Sequence, residues 1–412
     1  CLFRVDSYSL FLRFLKSYSI SMQLSVIIVS YNVRYFIRQC LDSLFRSSQA
    51  AAIDVEVFVV DNDSKDGTIP YLKDAFASQL DANNNNVRLH LIANRHNVGF
   101  GRANNQALRH CKGDYVLFLN PDTIVTEHTL IDCLSAAREQ SKLGAIGVAM
   151  LQANGQIAPE SRRGLPTPWV AFCRMSGLTK LFPKSRRFAR YYMSYLSQEE
   201  TAPIDIVSGA FMFCNRAALN EVGGFDEDFF MYGEDIDLSY RFLKAGYQNF
   251  YVPTPIVHYK GESTHKNSYR YVHVFYEAML IFFQKHFPTS SLAIRIPVRC
   301  AIYARALLAL LQQLLKQWSR FLTPKGPSSP LQLRVIGSDK LKKQWKEHAD
   351  VWDLEFLSVT ELPKNYSFCG FSPEETSYTE ILEHLRTLEH KQGIATFFPS
   401  WGVMITGKEV FE

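Results

Sequence analysis

The chain has 412 residues, of which 47% are hydrophobic, and a formal net charge of +5. These values are ordinary for a globular protein of two or three domains with a large core. Its 8 cysteines include no Cys-x-x-Cys pair, which argues against a zinc or disulfide framework and indicates a reducing compartment.

Residues 1–21 contain apolar and basic side chains, but Asp6, Arg13 and Lys16 interrupt any hydrophobic run, and no small-residue cleavage site follows. This pattern is not that of a secretory signal. We expect 1–21 to be a disordered or non-native leader, with the first domain beginning at Met22.

Residues 24–125 alternate short apolar strands with helical patterns, which predicts a mostly parallel sheet with helices on its faces. The predicted strands are 24–30, 55–60, 87–93 and 115–119, and the helices between them are about 33–46, 67–80 and 100–111. A helix at about 127–140 and a strand at 143–150 complete this part of the pattern.

The segment 153–203 is rich in proline, aromatic and basic residues and keeps no regular period. Such a long irregular segment in a compact domain is usually a functional loop or lid. Regular patterns resume with strands at 204–214 and 247–252 and a helix at 234–245. We therefore predict a first α/β domain over 22–288.

Residues 289–322 form an apolar helical pattern that Arg305, Gln312 and Gln313 interrupt. No uninterrupted run of about 18 apolar residues remains. We favour a helix that lies on a membrane surface, rank a spanning helix second and a buried helix third. The Pro- and Ser-rich stretch 323–330 predicts a linker, and 331–412 predicts a small α/β accessory domain.

Basic residues are concentrated in two stretches, and an anionic membrane surface suits them better than nucleic acid because one stretch lies in the apolar helical segment. They are Arg174, Lys180, Lys184, Arg186, Arg187 and Arg190 in the first stretch, and Arg295, Arg299, Arg305, Lys316 and Arg320 in the second. We expect a membrane surface as a partner and no nucleic acid.

Short polar clusters follow the apolar strands at the points where these strands end, and another begins the helix at 234–245. The clusters are Val29-Ser30-Tyr31-Asn32, Val60-Asp61-Asn62-Asp63-Ser64, Asn97-Val98-Gly99-Phe100, Leu119-Asn120-Pro121-Asp122 and Gly233-Glu234-Asp235-Ile236-Asp237. In an open α/β sheet, ligands bind beyond the carboxyl ends of the strands. None of the clusters is a Gly-rich phosphate loop, which points to a nucleotide bound through carboxylates and a metal ion.

Two carboxylates in these clusters suit nucleotide and metal binding. Asp61 can accept hydrogen bonds from a nucleobase or a ribose, and the alternative is an Asx turn among turn-forming residues. Asp122 ends a strand, and Mg²⁺ and Mn²⁺ prefer such oxygen ligands. A helix N-cap at Asp122 is the weaker alternative because the following helix begins too far away.

A histidine ends another apolar run. A lone histidine such as His258 is more often a core or turn residue than a ligand. Its neutral imidazole would nevertheless complement Asp122 on one metal ion.

The acidic cluster Glu234, Asp235 and Asp237 lies in the first turn of a predicted helix. The helix macrodipole stabilises carboxylates there, which is the commonest reason to find them. A general base, however, needs a pKa near the working pH, and crowded like charges raise the pKa of a carboxyl group. The cluster therefore predicts a general base.

Together these clusters resemble the family 2 glycosyltransferases, and most closely their bacterial rhamnosyltransferase-like branch. Further motifs that carry the resemblance are Ala103-Asn104-Asn105, Ser208-Gly209-Ala210-Phe211, Gly223-Gly224-Phe225-Asp226 and His258 with the stretch from Gly261 to Thr264. The resemblance spans about Leu24 to His286. Each motif alone is weak, but their order and spacing make the set specific.

The resemblance implies a GT-A fold, a nucleotide-diphosphate sugar donor and inversion at the anomeric carbon. It implies Mg²⁺ or Mn²⁺ held by Asp122 and His258, and Asp235 as the base for the acceptor hydroxyl with Glu234 assisting. The implied donor site consists of Ser30, Tyr31, Asn32, Asp61, Asn62, Asn97, Gly99, Asn104, Asn105 and Asp122. The implied acceptor site consists of Ser208, Gly209, Ala210 and Phe225, with further contacts from 153–203.

The expected acceptor is a saccharide or a lipid-linked glycan of cell-surface polysaccharide synthesis, and the branch suggests rhamnose as the sugar. We expect the protein in the cytoplasm, at the inner face of the cell membrane. Position 120 is Asn where many GT-A enzymes carry the first carboxylate of an Asp-x-Asp motif, which predicts weaker metal binding.

Two rival functions stay open at this point. A nucleotidyltransferase would share the α/β half, but it should show a Gly-rich loop near the N-terminus. A non-catalytic, membrane-associated scaffold of a polysaccharide-assembly complex would explain the apolar helix, but it would not need the acidic cluster.

Overall fold

The structure is a computed structural model that describes residues 23–80, 87–259, 269–287, 331–349, 354–356, 368–387, 393–407 and 409–412, together with Tyr303, Leu307, Leu311 and Leu315. The predicted leader, the predicted linker, the stretch from Gly261 to Thr264 and most of the predicted apolar helix lie outside the described residues.

The first sheet has the strand order β3-β2-β1-β4-β8-β6-β9-β5, with β7 paired to β9. Its strands are β1 (Gln23–Ser30), β2 (Asp54–Asp61), β3 (Val87–Ala93), β4 (Tyr115–Leu119), β5 (Thr123–Val125), β6 (Leu143–Leu151), β7 (Ala202–Ile204), β8 (Phe211–Asn215) and β9 (Gln248–His258). Strands β1, β2, β3, β4, β6 and β9 run in one direction, and β5, β7 and β8 run in the other. The predicted α/β class with a mixed, mostly parallel sheet is confirmed.

Helices cover both faces of this sheet. They are α1 (Arg34–Ala51), α2 (Thr68–Ala75), α3 (Ala77–Leu80), α4 (Phe100–Leu108), α5 (Thr129–Glu139), α6 (Pro168–Met175), α7 (Leu178–Leu181), α8 (Arg216–Val222), α9 (Glu234–Lys244) and α10 (Tyr269–His286). Alternate residues of β1 point to opposite faces, so that Val26 and Ile28 pack with α1 and α5 while Ile27 and Val29 pack with α4, α8 and α9. Both layers are therefore hydrophobic cores.

Two predicted elements differ from the structure. The predicted helix 67–80 is two helices that meet at Phe76, and the predicted strand 204–214 is split into β7 and β8. The split leaves 205–210 outside the sheet, and in this stretch the backbone N–H of Gly209 donates to Asp235. The gap between β7 and β8 thus coincides with a hydrogen bond to Asp235. Strand periodicity cannot reveal a contact with a residue that is distant in the chain.

Residues of the C-terminal part form a second sheet with the order β11-β10-β12-β13-β14-β15. Its elements are β10 (Leu331–Val335), α11 (Asp339–Ala349), β11 (Leu354–Phe356), β12 (Phe368–Phe371), α12 (Tyr378–Thr387), β13 (Gly393–Phe398), β14 (Val403–Thr406) and β15 (Val410–Phe411). One hydrophobic cluster joins Phe36 and Tyr259 of the first unit to Tyr378 and Ile381 of the second. The two units are therefore packed together through a shared core.

A carboxylate of the first unit caps a helix of the second. Glu127 accepts hydrogen bonds from the backbone N–H groups of Tyr378 (3.0 Å) and Thr379 (2.8 Å) at the start of α12. These N–H groups have no partner within their own helix. Burial raises the pKa of Glu127, but hydrogen bonds led by that of the Thr379 hydroxyl outweigh burial, and the net pKa is lowered.

We expect Glu127→Gln to lower the free energy of unfolding by about 1 kcal/mol at neutral pH, because a neutral amide is a weaker cap than a carboxylate. Since the folded-state pKa is lowered, the stabilisation is present above the unfolded pKa and is lost as the pH falls through the folded pKa. Thermal unfolding of wild type and variant should differ at neutral pH and converge in acid. Glu383→Gln, an exposed site on α12, is the control, and equal effects of both substitutions would contradict the capping role.

Candidate active site

Backbone hydrogen bonds hold the polar clusters together at one edge of the first sheet. The N–H of Asn62 donates to the carbonyl of Ser30 (2.8 Å), and the N–H of Asn94 donates to that of Asp61 (2.9 Å). Further along the edge, the N–H of Asn120 donates to the carbonyl of Ala210 (2.9 Å). The carboxyl ends of β1, β2 and β4 therefore form a continuous rim, as expected where ligands bind in α/β sheets.

One carboxylate oxygen of Asp61 closes a turn, and the other has no hydrogen-bond partner among the described residues. Its Oδ2 accepts a hydrogen bond from the N–H of Ser64 (2.9 Å). Its Oδ1 and the hydroxyl of Ser30 are buried and make no hydrogen bond within the described part of the chain. Buried polar atoms without a partner are costly, so these two atoms fit a polar ligand.

Asn32 shapes the loop beside these atoms. It has a φ of 54°, its N–H donates to the hydroxyl of Ser64 (2.8 Å), and its Oδ1 accepts from the N–H of Lys65 (2.7 Å). Tyr31 is 40% exposed and borders the same loop. An exposed ring beside unsatisfied polar atoms is suited to stack on a planar ligand.

Amide side chains shape the next part of the rim. Asn62 donates to the carbonyl of Gly99 (3.2 Å), and Asn97 accepts from the N–H of Gly99 (3.0 Å). Gly99 has a φ of 90°, and a Cβ there would lie 2.8 Å from the carbonyl oxygen of Phe230. Only glycine therefore allows this close approach.

Three residues predicted to bind substrate are occupied elsewhere in the structure. The Nδ2 of Asn105 donates to the carbonyl of Phe225 (2.8 Å), and its Oδ1 accepts from the N–H of Phe225 (2.9 Å). The buried Asn104 donates to the carbonyl of Phe100 (3.0 Å). The ring of Phe225 is buried against Phe118 at 4.6 Å between ring centroids. These residues hold the loops in place, and the predicted donor contacts of Asn104 and Asn105 and the predicted acceptor contact of Phe225 stay predictions.

Phe230, which was not predicted as a site residue, lies on the rim next to Gly99. Its side chain is 45% exposed, its neighbour Phe229 is buried, and its carbonyl accepts from the N–H of Phe100 (2.9 Å). The run of aromatic residues from Phe225 to Tyr232 was a signal, but alternation in an irregular loop does not tell which ring faces the solvent.

Asp122 and His258 meet across the pairing of β5 with β9. Thr123 is in register with His258, and the N–H of Tyr259 donates to the carbonyl of Asp122 (3.0 Å). The Oδ1 of Asp122 lies 3.3 Å from the Nε2 of His258. The Nδ2 of Asn120 also lies 3.3 Å from that nitrogen.

This pair fits a divalent cation that shares its coordination with phosphate oxygens. Asp122 is buried, and the side chain of His258 is 12% exposed, so both donors face a confined position. Within the described ranges, no group of three or more His, Cys, Asp and Glu side chains is placed to hold a metal ion. Mg²⁺ commonly takes one or two protein ligands and completes its shell with water and substrate phosphates.

Asp235 is held by two donors from other parts of the chain. Its Oδ2 accepts hydrogen bonds from the guanidinium of Arg163 and from the N–H of Gly209 (3.2 Å). Gly209 precedes Ala210, whose carbonyl bonds Asn120. The turn 208–210 therefore joins Asp235 to the strand end that carries Asp122, so both carboxylates lie at the same edge.

Arg163 was not predicted as a site residue. The side chain is 15% exposed and also donates to the carbonyl of Val207 (3.2 Å). Its only signal was the Arg162-Arg163 pair at the start of the irregular segment. Because the segment has no period, the sequence could not show that Arg163 reaches Asp235 while the buried Arg162 donates to the carbonyls of Leu196 and Ser197.

The acidic cluster separates into two adjacent carboxyl groups, Glu234 and Asp235, and a third, Asp237, that is bonded to side chains of its own. Asp237 bonds Arg241 (2.7 Å) and His286 (2.6 Å). Glu234 is buried, and its Oε2 makes no hydrogen bond within the described residues. Burial, reinforced by the charge of Asp235, raises the pKa of Glu234 to about 8. The predicted crowding therefore concerns two carboxylates instead of three.

We expect the wild type to lose stability relative to Glu234→Gln as the pH rises from about 5 to about 8. The folded state holds the proton of Glu234 more tightly than the unfolded state, so folding stability falls as the pH rises between the two pKa values. Denaturant unfolding of both proteins at the two pH values measures this. The exposed Glu347→Gln should behave as the wild type, and a Glu234→Gln variant with an unchanged pH dependence would refute the assignment.

The chain matches proteins of known activity. The family model described as Glycosyl transferase family 2 matches residues 25–223. The N-acetylglucosaminyl-diphospho-decaprenol L-rhamnosyltransferase of Mycobacterium tuberculosis is 28% identical over 271 residues, which cover 63% of this chain and 83% of that protein. Rhamnosyltransferase WbbL of Escherichia coli is 31% identical over 174 residues, which cover 39% of this chain and 61% of that protein.

Solved structures show distant likenesses. Staphylococcus aureus TarS 1–349 aligns with a TM-score of 0.39 and 20% identity, covering 63% of this chain and 66% of that one. The mannosyltransferase PcManGT from Pyrobaculum calidifontis, in complex with GDP-Man and Mn²⁺, aligns with a TM-score of 0.45 and 16% identity, covering 84% and 88%. Residues 25–223 therefore match the family 2 glycosyltransferases, and the chain is similar to rhamnosyltransferases.

Proposed function

We propose that the protein transfers a sugar, with inversion, from a nucleotide-diphosphate donor to a hydroxyl of a saccharide or lipid-linked acceptor in cell-surface polysaccharide synthesis. The observation that carries the proposal is the shared rim. Unsatisfied buried oxygens, the Asp122–His258 pair and the held carboxylate of Asp235 lie along one edge of the sheet. The names of two relatives support rhamnose as the sugar, and one of them names a diphospho-polyprenol acceptor.

The donor would bind along the ends of β1, β2 and β4. The unsatisfied oxygens of Ser30 and Asp61 suit a nucleoside, with Tyr31 and Asn32 on the adjoining loop. Asp122 and His258 would hold Mg²⁺ or Mn²⁺ beside the diphosphate. Such a cation, when bound, supplies positive charge that offsets the charge developing on the leaving diphosphate.

Asp235 would accept the proton of the acceptor hydroxyl. The acceptor oxygen forms its bond to the anomeric carbon while the bond from that carbon to the diphosphate oxygen breaks, and the proton passes to the carboxylate. Arg163 and the N–H of Gly209 fix the orientation of this carboxylate. Glu234, with its raised pKa, keeps its proton at neutral pH and adds no second negative charge beside the base.

The two packed units would have different roles in the protein. We assign catalysis to 22–288 and a supporting role to 331–412, because the second unit packs behind α1 and the end of β9. None of the helices among the described residues has the length and apolarity to cross a bilayer. We assign the protein to the cytoplasmic side, peripheral to the inner face of the membrane, where a lipid-linked acceptor would be reached.

The chemistry is tested by Asp235→Asn. We expect transfer to fall about 10²- to 10⁴-fold, as for loss of a general base, with donor affinity nearly unchanged. A panel of nucleotide sugars, first screened for acceptor-independent hydrolysis by the wild type, supplies the donor, and calorimetry measures its binding. The exposed Asp74→Asn serves as control. Normal turnover by Asp235→Asn would remove the mechanism.

Donor binding is tested by Asp122→Ala. The loss of a ligand to the cation should raise the donor dissociation constant at least about tenfold in the presence of Mn²⁺. Addition of a chelator to the wild type should produce a similar weakening and should leave the variant unchanged. Equal donor affinity of wild type and variant under both conditions would rule out this metal assignment.

A further inference from the structure

Helices α6 and α7 present large apolar side chains to the solvent. Trp169, Phe172, Leu181 and Phe182 are 44%, 54%, 71% and 49% exposed. Trp169 stacks on Phe172 with 5.7 Å between ring centroids, and Phe188 links Trp169 to Phe182 at 6.2 and 5.3 Å. The rings of these four aromatic residues form one continuous patch, and Leu181 precedes Phe182 in the chain; we call the five residues the α6–α7 surface. Exposed patches of this kind mark interaction sites.

The α6–α7 surface is built on folded structure. In α6, Val170 and Cys173 are buried at 3% and 1% exposure, on the face next to that of Trp169 and Phe172. The helix therefore has a wide apolar stripe, of which the underlying chain covers only one side. The side chain of Thr167 caps its first turn by accepting from the N–H of Val170. An outward apolar face on an ordered helix indicates a partner beyond this chain.

The stretch of chain that forms the α6–α7 surface carries only positively charged side chains, one of which, Arg190, pairs with Asp205 outside the stretch (3.4 Å). The stretch 161–198 contains no Asp or Glu, and its cations include Arg174, Lys180, Lys184, Arg186, Arg187 and Arg190, all exposed. The guanidinium of Arg187 lies 5.6 Å from the ring centroid of Trp169. Aromatic rings among basic side chains are the composition that binds the interface of an anionic bilayer.

The α6–α7 surface is tied to the acceptor side of the active site. Arg163, five residues before α6, bonds Asp235. The N–H of Leu165 donates to Asp205 (2.9 Å), and the N–H of Gly164 donates to the carbonyl of Tyr191 (3.1 Å). The stretches on both sides of α6 and α7 are therefore held near the base, and whatever the surface binds lies close to the acceptor.

We propose that the α6–α7 surface docks on an anionic lipid bilayer and brings Asp235 to an acceptor embedded in that bilayer. The proposal rests on the proposed function for the identity of the acceptor. A second copy of the chain suits the surface less well, because self-association through it would place two sets of cations against each other. The rings insert at the interface, and the surrounding cations meet the anionic headgroups.

Sedimentation with vesicles tests the docking without any sugar chemistry. The full chain should bind phosphatidylglycerol-containing vesicles, bind phosphatidylcholine vesicles much less, and lose affinity in salt. Two triple variants should each bind at least about 30-fold more weakly, since a basic residue near such a surface contributes about fivefold to affinity. One is Trp169→Ser/Phe172→Ser/Phe182→Ser, and the other is Lys184→Glu/Arg186→Glu/Arg187→Glu.

A control variant with the same charge change is Lys340→Glu/Lys343→Glu/Lys346→Glu on α11, which should bind as the wild type. Tyr303, Leu307, Leu311 and Leu315 are helical and exposed at four-residue spacing, and Leu307→Ser/Leu311→Ser/Leu315→Ser tests that stripe as the competing membrane contact. Wild-type binding by either α6–α7 variant, or equal binding of the wild type to both kinds of vesicle, overturns the proposal.

Acceptor-independent donor hydrolysis in solution separates the two hypotheses. The α6–α7 variants should hydrolyse the donor at the wild-type rate, which also shows that they are folded. If the wild type binds anionic vesicles through this surface but consumes no nucleotide sugar, the proposed function fails and the docking stands. If donor turnover is present while the variants keep full vesicle affinity, the docking fails and the function stands.

Discussion

The short turn 208–210 is the constraint on which the active site depends. The turn lies outside the sheet, between β7 and β8. The carbonyl of Ala210 accepts a hydrogen bond from the N–H of Asn120, and the N–H of Gly209 donates to Asp235. A strand end and a helix start, more than 100 residues apart in the chain, are thereby fixed to one another. This link adds to the packing of α9 against β1 in fixing the two ends relative to each other.

The three carboxyl groups at the start of α9, where we propose the base, differ in their hydrogen-bond and ion-pair partners. The positive end of the α9 dipole favours carboxylates at its start, and three are present there. Arg163 pairs with Asp235, Arg241 pairs with Asp237, and His286 is hydrogen-bonded to Asp237. Among the described residues Glu234 makes no ion pair, and burial together with the charge of Asp235 raises its pKa to about 8. Of the three carboxyl groups at the start of α9, Asp235 is the one that we propose as the base.

The second unit supports the site from behind. Tyr259, which follows His258, packs edge-on to Phe36 of α1 at 5.4 Å between ring centroids. Both belong to the cluster that contains Tyr378 and Ile381, and Gln39 of α1 donates to Thr396 of β13 (2.8 Å). Well-packed interiors resist displacement. The position of the Asp122–His258 pair thus depends in part on residues that contribute no chemistry to it.

The sequence by itself determined the parallel half of the sheet and the order of the polar clusters at its edge. Strand alternation and turn-forming residues are local, and they predicted β1 to β4 within a few residues. The clusters that carry Asp61, Asp122 and Asp235 could be found because strand ends in such sheets meet on one side.

Only the tertiary structure decided which side chains face the site. It turned Arg163 inward, placed Phe225 in the core and Phe230 on the rim, and used Asn105 to hold a loop. It also packed the second unit against the first, where linker composition alone suggested a loose tether. Each of these outcomes depends on contacts between residues distant in the chain, and such contacts leave no period in the sequence.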